Sequence, residues 1–108
     1  MTDADDRSPD AQDDDGARWR LPEGVRLLWK TWGDEVVVFN TSSGQTHLLD
    51  PLSGAVLESI EASPMTVAQL TGRLAERFDL APDADLARRA EAICSRFDDL
   101  GLADPDRS

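Results

Sequence analysis

The chain has 108 residues and a formal net charge of −11, from 22 acidic and 11 basic side chains. This length allows one small domain with a single core. The acidic balance argues against nucleic-acid binding, which relies on Lys and Arg to neutralise phosphates. No run approaches the ~20 apolar residues of a membrane span, the Asp-rich start does not resemble a signal peptide, and a single cysteine excludes an intramolecular disulfide. We therefore expect a cytoplasmic protein that does not enter a membrane.

Residues 1–17 are strongly acidic and almost free of apolar side chains. One Arg against seven Asp gives this segment a net charge of −6, and its only large apolar residue is the initiator Met. It can bury too little surface to offset the entropy of ordering its backbone, so we predict a disordered acidic arm. The arm could be a recognition tail or only a solubilising one. We expect a folded domain over 18–103 and a flexible tail over 104–108.

The next segment has the two-residue period of β-strands, with Leu27 and Trp29 on one face and Leu28 on the other. Two short clusters of turn-forming residues interrupt it. The pattern predicts strands at 25–32, 35–40 and 45–49, turns at 33–34 and 41–44, and a further short strand near Trp19–Leu21. The three longer strands form an antiparallel meander, which leaves one edge of the third strand without a partner. Such an edge must be protected or used for binding.

From residue 50 onward the apolar spacing changes to the 3.6 residues of helices. Asp50 can cap the first helix, with Pro51 at a position where its missing N–H has no partner to lose. Thr66 and Gln69 match a capping box for the second. We predict helices over 51–62, 67–78 and about 86–100, the last ending before Gly101. The fold class is therefore α+β, with the order β-β-β-α-α-α and three helices covering one face of the sheet.

The chemistry-bearing residues do not form a catalytic constellation. His47 is the only histidine, a metal site needs three or four ligands, and no nucleophile motif is present. Cys94 lies in a strongly periodic helix, where we expect a small buried apolar residue and not a reactive thiol. We predict no catalytic residue, no metal and no cofactor, and we expect His47 to lie on a strand surface or contact a partner.

Three arginines, Arg88, Arg89 and Arg96, form a basic stripe on the predicted third helix of this acidic protein. Arg89 and Arg96 are seven residues apart and therefore share a face. The stripe is either solvated helix surface or a docking site for an acidic peptide.

Three segments, VVVFNTSSGQTHLLDPLSGAVLESI at 36–60, TVAQLTGRLAERF at 66–78 and LARRAEAICSRFDDLGLA at 86–103, together resemble the PqqD family of peptide chaperones. The resemblance is strongest to the branch associated with HPr-kinase-related gene systems. That branch has a motif of the type VxxNxxSGxTHLLDPL followed by helices that end in LxxLGL. The matching residues here are Val37, Asn40, Ser43, Gly44, Thr46, His47, Leu48, Leu49, Asp50, Pro51, Leu52, Leu100, Gly101 and Leu102. Phe97 stands where the closing motif has its first Leu. The resemblance covers about residues 19–103.

The resemblance implies a small winged-helix-like domain without catalytic activity. Family members bind the leader segment of a ribosomally made precursor peptide as an added strand, and present the peptide to a modifying enzyme. The partner enzyme would be a radical-SAM protein or an HPr-kinase-related protein, and the chain would be a monomer or homodimer. Carried over by position, the expected peptide-binding residues are Gln45, Thr46, His47, Leu48 and Leu49 on the third strand, and Arg89, Ile93, Arg96, Phe97 and Leu100 on the third helix.

Two other functions remain open at the level of the sequence. The predicted topology also permits a winged-helix DNA-binding regulator, which the arginine stripe favours and the net charge opposes. A small enzyme or phosphoacceptor that uses His47 is the second alternative, suggested by the kinase-like partners of this branch.

Overall fold

A computed structural model describes residues 17–106 and confirms the predicted α+β architecture. Its elements are β1 (Arg18–Arg20), β2 (Leu27–Trp32), β3 (Glu35–Asn40), β4 (Gln45–Leu49), α1 (Pro51–Ala62), α2 (Val67–Phe78), α3 (Ala84–Asp99) and β5 (Asp104–Asp106). The strands β3 and β4 and the helices α1 and α2 have the predicted bounds. Of the predicted acidic arm at 1–17, residues 1–16 lie outside the described residues.

The strands β2, β3 and β4 form one antiparallel sheet in that order. The register places Trp29, Val38 and His47 side by side on one face of the sheet. This inner face is covered by the helices, and Val38 has no exposed surface. The opposite face, which we call the outer face, carries Leu28 and Phe39, and both side chains are exposed.

The turn between β3 and β4 is held by the buried side chain of Asn40. Its Oδ1 atom accepts hydrogen bonds from the backbone N–H of Ser42 at 2.9 Å and of Ser43 at 3.4 Å. Gly44 closes the turn at φ 79°, a left-handed conformation that favours glycine. The turn therefore fixes the register of β4, and with it the face on which each β4 side chain lies.

The predicted caps of α1 and α2 are confirmed. The Oδ1 atom of Asp50 accepts from the N–H of Ser53 at 2.7 Å, and Pro51 occupies the first turn of α1. Thr66 and Gln69 form the reciprocal capping box of α2, with distances of 3.2 Å and 2.9 Å. Each cap satisfies backbone donors that have no partner inside the helix.

The third helix begins two residues earlier than predicted and ends at Asp99, one residue before the predicted end, with Leu100 as its C-cap. Asp83 caps its start by accepting from the N–H of Leu86 at 2.9 Å. The prediction began the helix at its first apolar residue, whereas the cap lies three residues upstream. At the other end, Gly101 at φ 77° allows the N–H of Leu102 to reach the carbonyl of Phe97 at 2.8 Å.

One hydrophobic core joins the inner face of the sheet to all three helices. The fully buried side chains include residues from β3, α1, α2, α3 and the segment before β5. They are Val38, Val56, Leu57, Ile60, Leu70, Leu74, Cys94, Phe97 and Leu102. At about 25 cal/mol per Å² of apolar surface removed from water, this core provides the main driving force of folding.

The segment after α3 differs from the predicted flexible tail. Residues 104–106 form β5, which pairs antiparallel with β1. Trp19 of β1 is buried. Its backbone N–H donates to the carbonyl of Met65 at 2.6 Å, and the backbone N–H of Met65 donates to the carbonyl of Trp19 at 3.0 Å. Burial of Trp19 orders the β1 backbone, whose polar groups then need partners, and β5 supplies them. Residues 107–108 lie outside the described part of the chain.

Candidate functional site

The strand β4 offers a free edge. It pairs with β3 on one side, and no strand within residues 17–106 pairs with its other side. Its sequence, QTHLL, contains no charged residue and no proline. Charges and prolines are the usual devices that prevent an edge strand from pairing with another chain. This edge is therefore open to an additional strand.

The side chains of β4 alternate between the two faces of the sheet. Thr46 and Leu48 project from the outer face and are exposed. His47 and Leu49 lie on the inner face, where Leu49 is buried and His47 is half-buried. All five predicted β4 residues therefore line one edge, although they belong to different surfaces.

No hydrogen bond joins His47 to Asp50. The Nε2 atom of His47 is buried, and no described residue hydrogen-bonds to it. The Asp50 carboxylate instead caps α1 through Ser53. A general base or a phosphoacceptor must reach its substrate, and the buried Nε2 atom offers no surface for that contact.

A groove of about 680 Å³ begins at Asp50, the residue that follows β4. Most of its wall is apolar, and Arg89 supplies a positive charge. The lining residues are Asp50, Pro51, Leu52, Ser53, Phe78, Leu80, Arg89, Ala92 and Ile93. An apolar groove with a few polar groups is the usual form of a ligand site.

Only two of the five predicted peptide-binding residues on α3 line the groove. Arg89 and Ile93, one helical turn apart, line the groove. Arg96 is exposed and Leu100 is half-buried, and neither lines it. Phe97 is 1 % exposed and belongs to the core. A direct peptide contact by Arg96, Phe97 or Leu100 stays a prediction, and Phe97 has almost no surface to offer.

Three apolar groove residues, Leu52, Phe78 and Leu80, were not among the predicted site residues. Leu80 follows Asp79, whose left-handed conformation at φ 56° turns the chain at the end of α2. The N–H of Leu80 donates to the carbonyl of Ala75 at 2.9 Å, and its side chain is left 41 % exposed. The sequence offered one signal for Leu80, which is an isolated leucine in the otherwise polar loop DLAPDAD.

The arginines of the basic stripe differ in their partners. Arg88 pairs with Asp85 on its own helix at 3.3 Å. Arg89 has no carboxylate partner among the described residues. Its guanidinium is therefore available to an acidic group that enters the groove.

A second cleft of about 470 Å³ lies on the other side of Pro51 and Phe78, which line both cavities. Its charged side chains and the Trp29 indole are already paired. The indole Nε1 of Trp29 donates to Glu61 Oε1 at 3.0 Å, and Arg77 forms an ion pair with Glu58 on the facing helix. This cleft therefore offers fewer free groups than the groove at Arg89.

The thiol of Cys94 is enclosed in the core, and the acidic residues of the described part of the chain form no metal-binding cluster. Cys94 is fully buried, and burial, with a smaller contribution from Glu91, raises the pKa of its thiol to about 12. The thiol is therefore protonated and shielded from solvent at neutral pH. Within residues 17–106, no three His, Cys, Asp or Glu side chains cluster in a way that could hold a metal ion. No helix in this part of the chain is both long and apolar enough to span a membrane.

Comparison with protein families gives one match. Residues 35–103, which contain the sheet edge, the groove and all three helices, match the family model for coenzyme PQQ synthesis protein D (PqqD). Among curated protein sequences, none matches the chain significantly.

Solved structures with the same fold include two described as complexes with a leader peptide. A lasso peptide synthetase B1 with its leader peptide is 18 % identical at a TM-score of 0.63, covering 82 % of this chain and 100 % of that one. TbiB1 in complex with the TbiA(beta) leader peptide is 12 % identical at 0.63, covering 82 % and 99 %. The PqqD truncation of Methylobacterium extorquens PqqCD, described as a stand-alone RiPP recognition element, is 24 % identical at 0.62, covering 81 % and 88 %.

Proposed function

The chain belongs to the PqqD family, and on that premise we propose that it is a non-catalytic peptide chaperone. It binds the leader segment of a ribosomally made precursor peptide by strand addition at β4 and presents the peptide to a modifying enzyme. The observation that carries this proposal is the uncharged free edge of β4, which leads directly into the groove at Asp50.

The two parts of the site have complementary roles in peptide binding. The backbone of β4 supplies hydrogen bonds that any extended peptide can make, which gives affinity without sequence preference. The groove adds preference, because apolar side chains of the peptide can pack against Leu52, Phe78 and Ile93. Arg89 adds an attraction for an acidic side chain at the groove. The leader peptides bound by two proteins of the same fold support this assignment.

The groups that could carry chemistry support a role in binding rather than in catalysis. The Nε2 atom of His47 is buried without a described partner, and the Cys94 thiol is buried in the core. We further propose that the partner enzyme is a radical-SAM or an HPr-kinase-related protein, on the basis of the THLLDP motif at 46–51. Genes for a short precursor peptide and such an enzyme beside the gene for this chain would support this partner.

Strand addition can be tested with prolines at two neighbouring positions, Thr46→Pro and His47→Pro. Successive residues of a strand direct their N–H groups to opposite edges. One substitution therefore removes a donor to β3, and the other removes a donor from the free edge, where proline is tolerated. Circular dichroism identifies the variant that keeps its fold. Peptides selected from a random display library on the full chain provide the probe for calorimetry.

We expect the folded proline variant to lose peptide affinity by tenfold or more, because its ring removes a hydrogen bond and obstructs the incoming strand. The strand-addition proposal would be contradicted by a folded variant that binds as tightly as the parent chain. A selection that yields no binding peptide would contradict the chaperone function itself.

A further inference from the structure

The outer face of the sheet is unusually apolar for a surface that no described element covers. Leu28 is 61 % exposed, Trp32 72 %, Phe39 37 % and Leu48 68 %, and all four lie on this face. Four of the five exposed large apolar side chains in residues 17–106 are therefore gathered on one surface. Single exposed apolar residues are normal, whereas a contiguous patch marks an interaction site.

The patch reaches the free edge of β4 at Leu48. The register aligns Lys30, Val37 and Leu48 in one row across the sheet, and Leu28, Phe39 and Thr46 in the next. Both rows end at β4, so a strand added to this edge would extend each row by one side chain. The patch is thus continuous with the proposed peptide-binding edge.

A peptide strand at this edge must place every second side chain on the outer face. Its residue opposite Leu48 would lie about 5 Å from Leu48, measured between the Cβ atoms. Leu48 offers only apolar surface there, and no charged residue lies on β4. An apolar side chain would cover Leu48 and be covered by it, whereas a charged one would lose hydration without gaining a partner.

We propose that Leu48 selects an apolar side chain on the outer face of the bound strand. The ligand is then a segment with apolar residues on both of its faces. Its inward residues enter the groove at Leu52 and Ile93, and one outward residue packs on Leu48. This inference rests on the proposed function, and it distinguishes the ligand from an amphipathic strand with one polar face. The expected segment contains consecutive apolar residues instead of a strict alternation.

Selection from a library of random linear peptides on the immobilised full chain tests this inference. The selection is run in parallel on the parent, Leu48→Lys and Leu28→Lys. Leu28 is the matched control, because it is the same residue type on the same face with similar exposure, two strands away from the edge. Both side chains are mostly exposed, so neither substitution opens a cavity in the core.

We expect the peptides selected on the parent and on Leu28→Lys to share one position that prefers Ile, Val, Leu or Phe. In peptides selected on Leu48→Lys, the preference at this position should change to Asp or Glu. A peptide selected on the parent should bind Leu48→Lys about fivefold more weakly, and Leu28→Lys within about twofold. Selection on Ile93→Lys should change the residue preference at a different peptide position. That position and the one that changes with Leu48→Lys should be an odd number of residues apart, because their side chains lie on opposite faces of one strand.

The remaining outcomes separate the two proposals. In one outcome, peptides bind the parent and show the same residue preferences when they are selected on Leu48→Lys. This result would overturn the inference and leave the chaperone function intact. Equal weakening by Leu28→Lys would also overturn it, because the effect would then belong to the whole patch. The absence of any selected peptide would overturn both.

Discussion

At the scale of single residues, two neighbours on β4 have opposite surroundings. His47 is half-buried against the inner face with its Nε2 atom enclosed, and Leu48 is 68 % exposed on the outer face. A shift of one residue in the strand register would exchange them. The buried side chain of Asn40 prevents this shift by holding the preceding turn. The roles of these residues therefore depend on the turn more than on their own chemistry.

Cys94 gives a prediction about stability at high pH. Burial raises the pKa of its thiol to about 12, from an ordinary value near 9. Between these values the unfolded chain releases the proton while the folded chain keeps it, so the free energy of unfolding falls as pH rises. The expected slope is up to about 1.4 kcal/mol per pH unit. Urea titrations from pH 8.5 to 11 measure it.

The matched variant is Cys94→Ala, which should be less stable at pH 8 because it leaves a small cavity. It should also lose most of the slope. The chain has no tyrosine, and Lys30 is its only lysine, so few other side chains titrate in this range. An identical slope in both proteins would contradict the assignment to Cys94.

At the scale of elements, a close contact between α1 and β3 places one wall of the groove. Gly54 is buried where α1 crosses the sheet, and a Cβ atom on it would lie 3.1 Å from Val36 Cγ2. The helix can approach the sheet this closely because position 54 has no side chain. The same helix carries Pro51 and Leu52, which line the groove. The depth of the groove on this side therefore depends on Gly54.

Alanine at two helical glycines tests this contact. Gly72 of α2 has open space around its missing Cβ, so Gly72→Ala should stabilise the protein by about 1 kcal/mol through helix propensity. Gly54→Ala gains the same propensity but crowds the β-branched Val36, and we expect a net loss of about 1 kcal/mol. Chemical denaturation compares the two variants. Equal stabilisation by both would show that α1 moves away from the sheet at little cost.

At the scale of the whole molecule, the net charge of −11 determines how a charged peptide approaches. Arg89 attracts an acidic group only once the peptide is near the groove, whereas the overall field repels it at longer range. The field and the site therefore act on different steps of binding. Association is governed by the net charge, and dissociation by contacts in the groove and along β4.

A pair of peptides with the same binding core and either Lys or Asp flanks tests this separation. The Lys-flanked peptide should associate faster at low salt, with similar dissociation rates for both, because the flanks lie outside the site. The difference should shrink strongly at 0.5 M salt, where the Debye length falls to roughly 4 Å. Stopped-flow anisotropy of labelled peptides measures both rates. Association rates that do not differ at low salt would contradict steering by the net charge.

Local patterns were sufficient to predict most of the fold. The turns at 33–34 and 41–44, and the caps at Asp50 and Thr66, are where predicted, because turn and cap chemistry acts over a few neighbouring residues. The start of α3 was predicted two residues late, since apolar periodicity begins after the cap at Asp83. The free edge of β4 also followed from strand order alone.

The elements, their order and the unpaired uncharged edge could all be predicted, since they depend on local spacing and composition. Which residues share a surface depends instead on tertiary packing. It placed Phe97 in the core, brought Leu52, Phe78 and Leu80 together from different parts of the chain, and paired β5 with β1. Such groupings depend on how the helices cross the sheet, and that crossing is set by close contacts such as Gly54 on Val36.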